Sequence, residues 1–132
     1  MILTSDDKLE IQELAARYAN AMDNGDADSW LETWDDAGVW EGGRGRYEGK
    51  ARLRELLHDL GARIQGKRHV MTNFVIVGDH MEARQICYLL VFERETEAKL
   101  LATGVYTDAV RKVGGKWKFV HRSVKLDPSF RP

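Results

Sequence analysis

The order of its segments limits this chain most. Three helical patterns occupy the first half, and three or four long strand patterns follow with no helix between them. Consecutive strands without crossover helices pair antiparallel and leave the helices on one face, so the order predicts an α+β layer. From Ser5 to Met22 the apolar residues Ile11, Leu14, Ala15, Tyr18 and Met22 recur at helical spacing behind a Thr-Ser-Asp-Asp start suited to capping. Asn24-Gly25 ends that helix, and Asp26 or Asp28 starts a short second one carrying Trp30, Leu31 and Trp34. Val39-Trp40-Glu41 and Arg46-Tyr47-Glu48 read as two short strands across Gly42 to Gly45. A third helix opens at Gly49, buries Leu53, Leu56, Leu57 and Leu60, and nears its end at Gly61. The strands then run from about His69 to Val77, Ala83 to Glu93, Ala98 to Arg111 and Lys116 to Lys125, with Gly78-Asp79 and Gly114-Gly115 as turns. A strongly bent sheet wrapped over the first helix makes a cone with an apolar interior, where a ligand site is expected.

The 132 residues fit one domain, 1–132. The net charge of -1 supplies no basic field for a phosphate backbone, so no nucleic acid partner is expected. The longest apolar run, Ile86 to Phe92, is too short to span a bilayer, and the N-terminus carries no signal-peptide pattern. Cys87 is the only cysteine, which excludes an internal disulfide and points to a reducing, cytoplasmic compartment.

Asp23 sits where the dipole of the first helix disfavours a negative charge, so it needs a partner. His69 is the candidate. It begins a strand whose alternating face is read as His69, Met71, Asn73 and Val75. A carboxylate on one ring nitrogen fixes the tautomer and makes the other nitrogen a general base near neutral pH. Tyr18 lies on the buried stripe of the same helix, and inside a cavity its hydroxyl would donate to a substrate carbonyl. The plainer reading treats Tyr18 as core and Asp23 as a helix-end turn residue. His121 is read on one strand face with Trp117 and Phe119, while His58 and His80 are read as solvated. No close-spaced histidine pair occurs, so no metal is expected. The Gly42 to Gly45 segment lacks the lysine of a phosphate-binding loop, there is no Gly-x-Ser-x-Gly elbow, and Cys87 sits in an apolar strand that buries it.

Taken in order, Ala16-Arg17-Tyr18 with Asp23-Asn24-Gly25-Asp26, Trp34-Asp35-Asp36-Ala37, Tyr47-Glu48-Gly49, Arg68-His69 with Thr72-Asn73, Gly104-Val105-Tyr106 and Gly115-Lys116-Trp117 resemble the SnoaL-like branch of the nuclear-transport-factor-2-like superfamily. The resemblance runs over nearly the whole chain. It implies the cone fold, with a bent antiparallel or mixed sheet around the helices and an internal cavity. Within the branch the sequence is most similar to scytalone dehydratase, hexachlorocyclohexane dehydrochlorinase and the bile-acid dehydratase. Their Asp-His dyad falls on Asp23 and His69, and the tyrosine of the bile-acid enzyme falls on Tyr18. Two departures mark the comparison. The second histidine of scytalone dehydratase has no counterpart, and Tyr18 stands where the dehydrochlorinase has lysine.

The resemblance implies a cofactor-independent lyase, dehydratase-like, acting on a small apolar or aromatic ring-containing molecule. His69, Asp23 and Tyr18 would be its catalytic residues, and Trp40, Tyr47, Asn73, Tyr88, Tyr106, His121 and Glu41 would contact the substrate. Two alternatives stay open. A ketosteroid-isomerase-like enzyme would keep Tyr18 and use Glu41 as base, with its second acidic donor replaced near Tyr106. A noncatalytic scaffold would be similar to the small subunits of ring-hydroxylating dioxygenases. A homo-oligomer, dimer or trimer, is expected through the outer sheet face.

Overall fold

The structure, a computed structural model, describes residues 1–130. Helix α1 is Ser5–Asp23 and is started by Thr4, whose hydroxyl accepts the Asp7 N–H at 3.0 Å while the Asp7 carboxylate accepts the Thr4 N–H at 3.1 Å. This reciprocal cap satisfies two of the donors that a helix start leaves orphaned. The same carboxylate accepts from Lys112 Nζ at 3.0 Å and from the Trp117 indole at 3.4 Å, which ties the start of the helix to the sheet. Gly25, at φ +67°, takes the left-handed conformation that turns the chain from α1 into α2, Ala27–Glu32.

The next elements are β1 (Trp34–Gly42), β2 (Gly45–Glu48), α3 (Lys50–Ile64), β3 (Lys67–Gly78), β4 (Glu82–Glu93), β5 (Leu100–Val113) and β6 (Lys116–Leu126). They form one six-stranded sheet in the order β2-β1-β6-β5-β4-β3. All neighbours are antiparallel except β1 and β6, which run parallel, so the sheet is mixed. The predicted α+β cone is therefore the fold found. Trp34 differs from its reading as helical: it opens β1 opposite Phe119. The pairing with β6 is irregular between Trp34 and Val39, and the chain passes so close to itself there that a Cβ on Gly38 would stand 2.6 Å from the Trp34 ring.

The core lies on the concave side of the sheet, where Ile11, Leu14, Ala15, Tyr18 and Met22 of α1 and Leu53, Leu56 and Leu57 of α3 are buried. Each such large apolar side chain contributes about 1.5–3 kcal/mol on burial, so the α1 stripe alone accounts for much of the cohesion between helix and sheet. No helix among the described residues is long and apolar enough to cross a membrane.

Two irregularities decide which side chains face the cone. In β3 the pairing with β4 shifts between Thr72 and Val75, and Asn73 there has φ +57°. Below the bulge His69 and Met71 face inward; above it Phe74 and Ile76 do. In β6, Phe119 pairs with Val110 while His121 pairs with Ala109, which leaves Val120 as an extra residue. Trp117 and Phe119 point inward before that bulge and Arg122 after it. One inserted residue exchanges the two faces of a strand, because the side-chain period is two.

Candidate active site

A cavity of about 940 Å³ opens between α1, α3 and the concave sheet face. Met22, Leu89, Val91, Ala102 and Leu126 supply apolar wall, and Trp40, Tyr47 and Tyr106 supply aromatic wall. Its size lies within the range of small-molecule sites.

His69 stands in this wall. Its Nδ1 is 2.6 Å from Oδ1 of Asp23, and its backbone N–H donates to Oδ2 of the same carboxylate at 2.8 Å. Both side chains are nearly enclosed, the imidazole 9% and the carboxylate 4% exposed. The helix end that would repel Asp23 is answered by Arg94, whose Nη2 donates to the Asp23 carbonyl at 3.2 Å. With Nδ1–H directed at the carboxylate, Nε2 carries the lone pair, and among the described residues it has no partner. The arrangement is an oriented imidazole with its basic nitrogen left for whatever occupies the cavity.

Tyr18 borders the same cavity, with a buried hydroxyl that has no hydrogen-bond partner among the described residues. Burial pushes its pKa upward, against the pull of the Arg122 guanidinium 4.4 Å from its ring. The phenol therefore stays protonated and able to donate.

Trp40, Tyr47 and Tyr106 face the cavity, as read from the sequence. The other four proposed contacts do not line it. Asn73 is the left-handed residue of the β3 bulge and is exposed. Tyr88 follows inward-facing Cys87 in β4, so alternation turns it outward, 49% exposed. His121 lies beyond the Val120 bulge and turns to the outer face. Glu41 alternates outward from Trp40; its Oε1 meets His121 Nε2 at 3.0 Å and Arg46 Nε at 3.3 Å. His121, first, and then Arg46 hold the Glu41 carboxyl below its ordinary range, an ion-pair role on the outside of the cone.

Arg122 went unread in the sequence. It is fully buried, with its guanidinium 3.5 Å from the Tyr106 ring centroid and 4.5 Å from that of Phe119. Nε donates to Asp108 Oδ1 at 2.9 Å, Nη2 reaches Oδ2 at 3.3 Å, and Gln85 Nε2 donates to Oδ2 at 2.9 Å. Burial works against its charge, but the Asp108 carboxylate holds the guanidinium above its ordinary value. This pair braces the floor on which Tyr18 and Tyr106 rest. The sequence signal was an arginine and an aspartate in strands otherwise alternating apolar residues inward. Among the described residues no group of three or more His, Cys, Asp or Glu side chains gathers as metal ligands.

The SnoaL-like domain family model matches residues 4–123. No curated protein matches the chain in sequence. A Nostoc punctiforme protein of unknown function with a cystatin-like fold is 37% identical, with 98% of each chain covered and a TM-score of 0.95. An aromatic-ring-hydroxylase-like protein of Novosphingobium aromaticivorans is 25% identical over 94% of each chain, with a TM-score of 0.81. A scytalone-dehydratase-like protein of the same organism is 22% identical, covers 92% of this chain and 84% of its own, and has a TM-score of 0.79; at that identity it shows the fold alone.

Proposed function

The chain belongs to the SnoaL-like domain family, and from that premise we propose that it is a cofactor-independent lyase that eliminates water, or a comparable leaving group, from a small ring-containing substrate. The observation carrying this reading is the Asp23–His69 pair, whose 2.6 Å contact engages Nδ1 and leaves Nε2 without a partner on a residue that lines an apolar cavity. His69 Nε2 takes a proton from a carbon made acidic by a neighbouring carbonyl. The released C–H pair becomes the new double bond, and the hydroxyl leaves with its own bonding pair and the proton His69 has just accepted, as water. Asp23 holds the tautomer and stabilises the transient imidazolium. Tyr18 donates its hydroxyl hydrogen to the oxygen on which charge develops, inside a site that excludes water.

Two geometric facts weigh against the alternatives. A base at Glu41 would have to face the cavity opposite Tyr18, and it is instead outside the cone, paired with His121. A scaffold would fill its interior, and this cone is open.

The test is a panel of hydroxylated aromatic and steroid-like ketones, read by the absorbance of the conjugated product and, in D2O, by exchange of the proton next to the carbonyl. Turnover or exchange that disappears in His69→Gln supports the lyase reading. Activity that survives His69→Gln and disappears in Glu41→Gln would replace it with the isomerase.

A further inference from the structure

The charge around the cavity is one-sided. The whole chain has 20 lysines and arginines against 21 aspartates and glutamates. Yet the residues lining the cavity include Arg44, Arg63, Lys67 and Lys125 and no carboxylate. An even draw would have brought about as many acids as cations. Lys125 stands between Val124 and Leu126, which face the wall, so alternation turns its side chain outward, which leaves the other three at the cavity. Arg44 projects from the turn joining β1 and β2, Arg63 from the last turn of α3, and Lys67 from the first residue of β3. Among the described residues none of the three has a carboxylate within 4.0 Å.

The carboxylates of the neighbouring segments are occupied or stand outside the wall. Asp23 is held by His69, and Glu93 accepts the backbone N–H groups of Glu95, Thr96 and Glu97. Glu95 lies beside Gly66 and does not line the cavity. Arg63 alone has an ordinary explanation, since a cation complements the negative end of a helix. That explanation does not extend to Lys67, which starts a strand, or to Arg44, which sits in a turn.

We propose that the substrate is an anion: a ring-containing body for the apolar cavity, carrying a carboxylate or another small anionic group that rests at the rim between Arg63 and Lys67, with Arg44 facing it. This deepens the reading of the cavity as the substrate site and rests on it. Lys67 is two residues before His69 on the same inward strand face, a rise of roughly 7 Å. The anionic group therefore sits about one ring away from the carbon that His69 deprotonates. Unpaired guanidinium and ammonium groups at the edge of a low-dielectric cavity favour a carboxylate over its neutral amide and steer it inward.

The experiment compares 2-naphthoate with 2-naphthamide by calorimetric titration at low ionic strength, with no turnover needed. The naphthoate is expected to bind about tenfold tighter. In Arg63→Gln with Lys67→Gln the preference falls to within about twofold while amide affinity holds, and in His69→Gln the preference persists. Equal binding of the two probes, or failure of the naphthoate to bind, overturns the proposal. So does a preference lost in His69→Gln, which assigns the anion to the imidazolium. If the double variant does not fold, raising the salt concentration on the wild-type protein decides instead: the preference must shrink. Loss of the lyase reading would appear as absent turnover with the anion preference intact, so the two failures are distinct.

Discussion

Asp23 grips His69 at two atoms of one carboxylate, Oδ1 to the ring Nδ1 at 2.6 Å and Oδ2 to the backbone N–H at 2.8 Å. The second contact fixes the start of β3 against the end of α1, so the imidazole is oriented by the backbone as well as by its ring. Asp23→Asn preserves the shape but lets an amide N–H face Nδ1, which favours the tautomer with its proton on Nε2 and removes the base. The expected loss in kcat is about 10²–10⁴-fold, with an unchanged far-ultraviolet circular dichroism spectrum. Adding His69→Gln should cost little more, since the two residues act as a unit. Losses that multiply would sink the dyad.

The Arg122–Asp108 pair is predicted to matter for stability rather than chemistry. Both side chains are fully enclosed. Burial pushes the Asp108 carboxyl upward while Arg122, and after it Gln85, pull it back, so each charge depends on the other. Asp108→Ala strands a guanidinium in the core and should destabilise by about 3–5 kcal/mol, lowering the melting midpoint by roughly 10 °C or more. Arg122→Met combined with Asp108→Leu should lose far less than the sum of the single variants. A denaturant-based double-mutant cycle measures this coupling, and additive effects would contradict it.

The sequence made the fold legible because the signals of its helices are local: the Thr4 cap, the Ile11 to Met22 stripe and the Asn24-Gly25 break each act within a few residues. Asp23 and His69 were legible because one ends a helix and the other lies near the start of a strand, places where alternation has not yet accumulated error. Asn73 and His121 were misplaced for one common reason. A bulge of one residue leaves no mark in composition, and it inverts every side chain beyond it. Tyr88 was lost differently, since Ile86, Tyr88 and Leu90 on the outer face are as apolar as Cys87, Leu89 and Val91 on the inner one. Alternation is invisible where both faces are hydrophobic. Arg122 was missed because a buried arginine is recognised by its partner, and Asp108 lies on the neighbouring strand.

Cys87 should be chemically silent. Burial pushes its thiol up to about 11, with the Arg122 guanidinium the principal opposing influence. Only about one thiolate in a thousand is then present at pH 8, and the sulfur is enclosed. Folded protein should leave Ellman's reagent unreacted over an hour at that pH, and unfolding in guanidinium should release one equivalent. Rapid reaction in the folded state would mean the β4 strand opens readily.

Glu93 links the loop after β4 to the dyad. Its carboxylate accepts the N–H groups of Glu95 at 2.6 Å, Thr96 at 3.0 Å and Glu97 at 2.9 Å, and the ordered loop carries the Arg94 that meets the Asp23 carbonyl. These backbone donors, Thr96 first and then Glu95 and Glu97, hold the Glu93 carboxyl down to about 2, from an ordinary value of 4.5. A depressed carboxyl stabilises the fold above its unfolded value and loses that contribution as pH falls through its folded value. Glu93→Gln should therefore melt below the wild type at pH 7. The gap should narrow from about pH 4.5 downward and close near pH 2. Turnover should fall less in Glu93→Gln than in Asp23→Asn, because the carboxylate–imidazole contact itself survives. A melting gap independent of pH would show that the loop is held by something other than this charge.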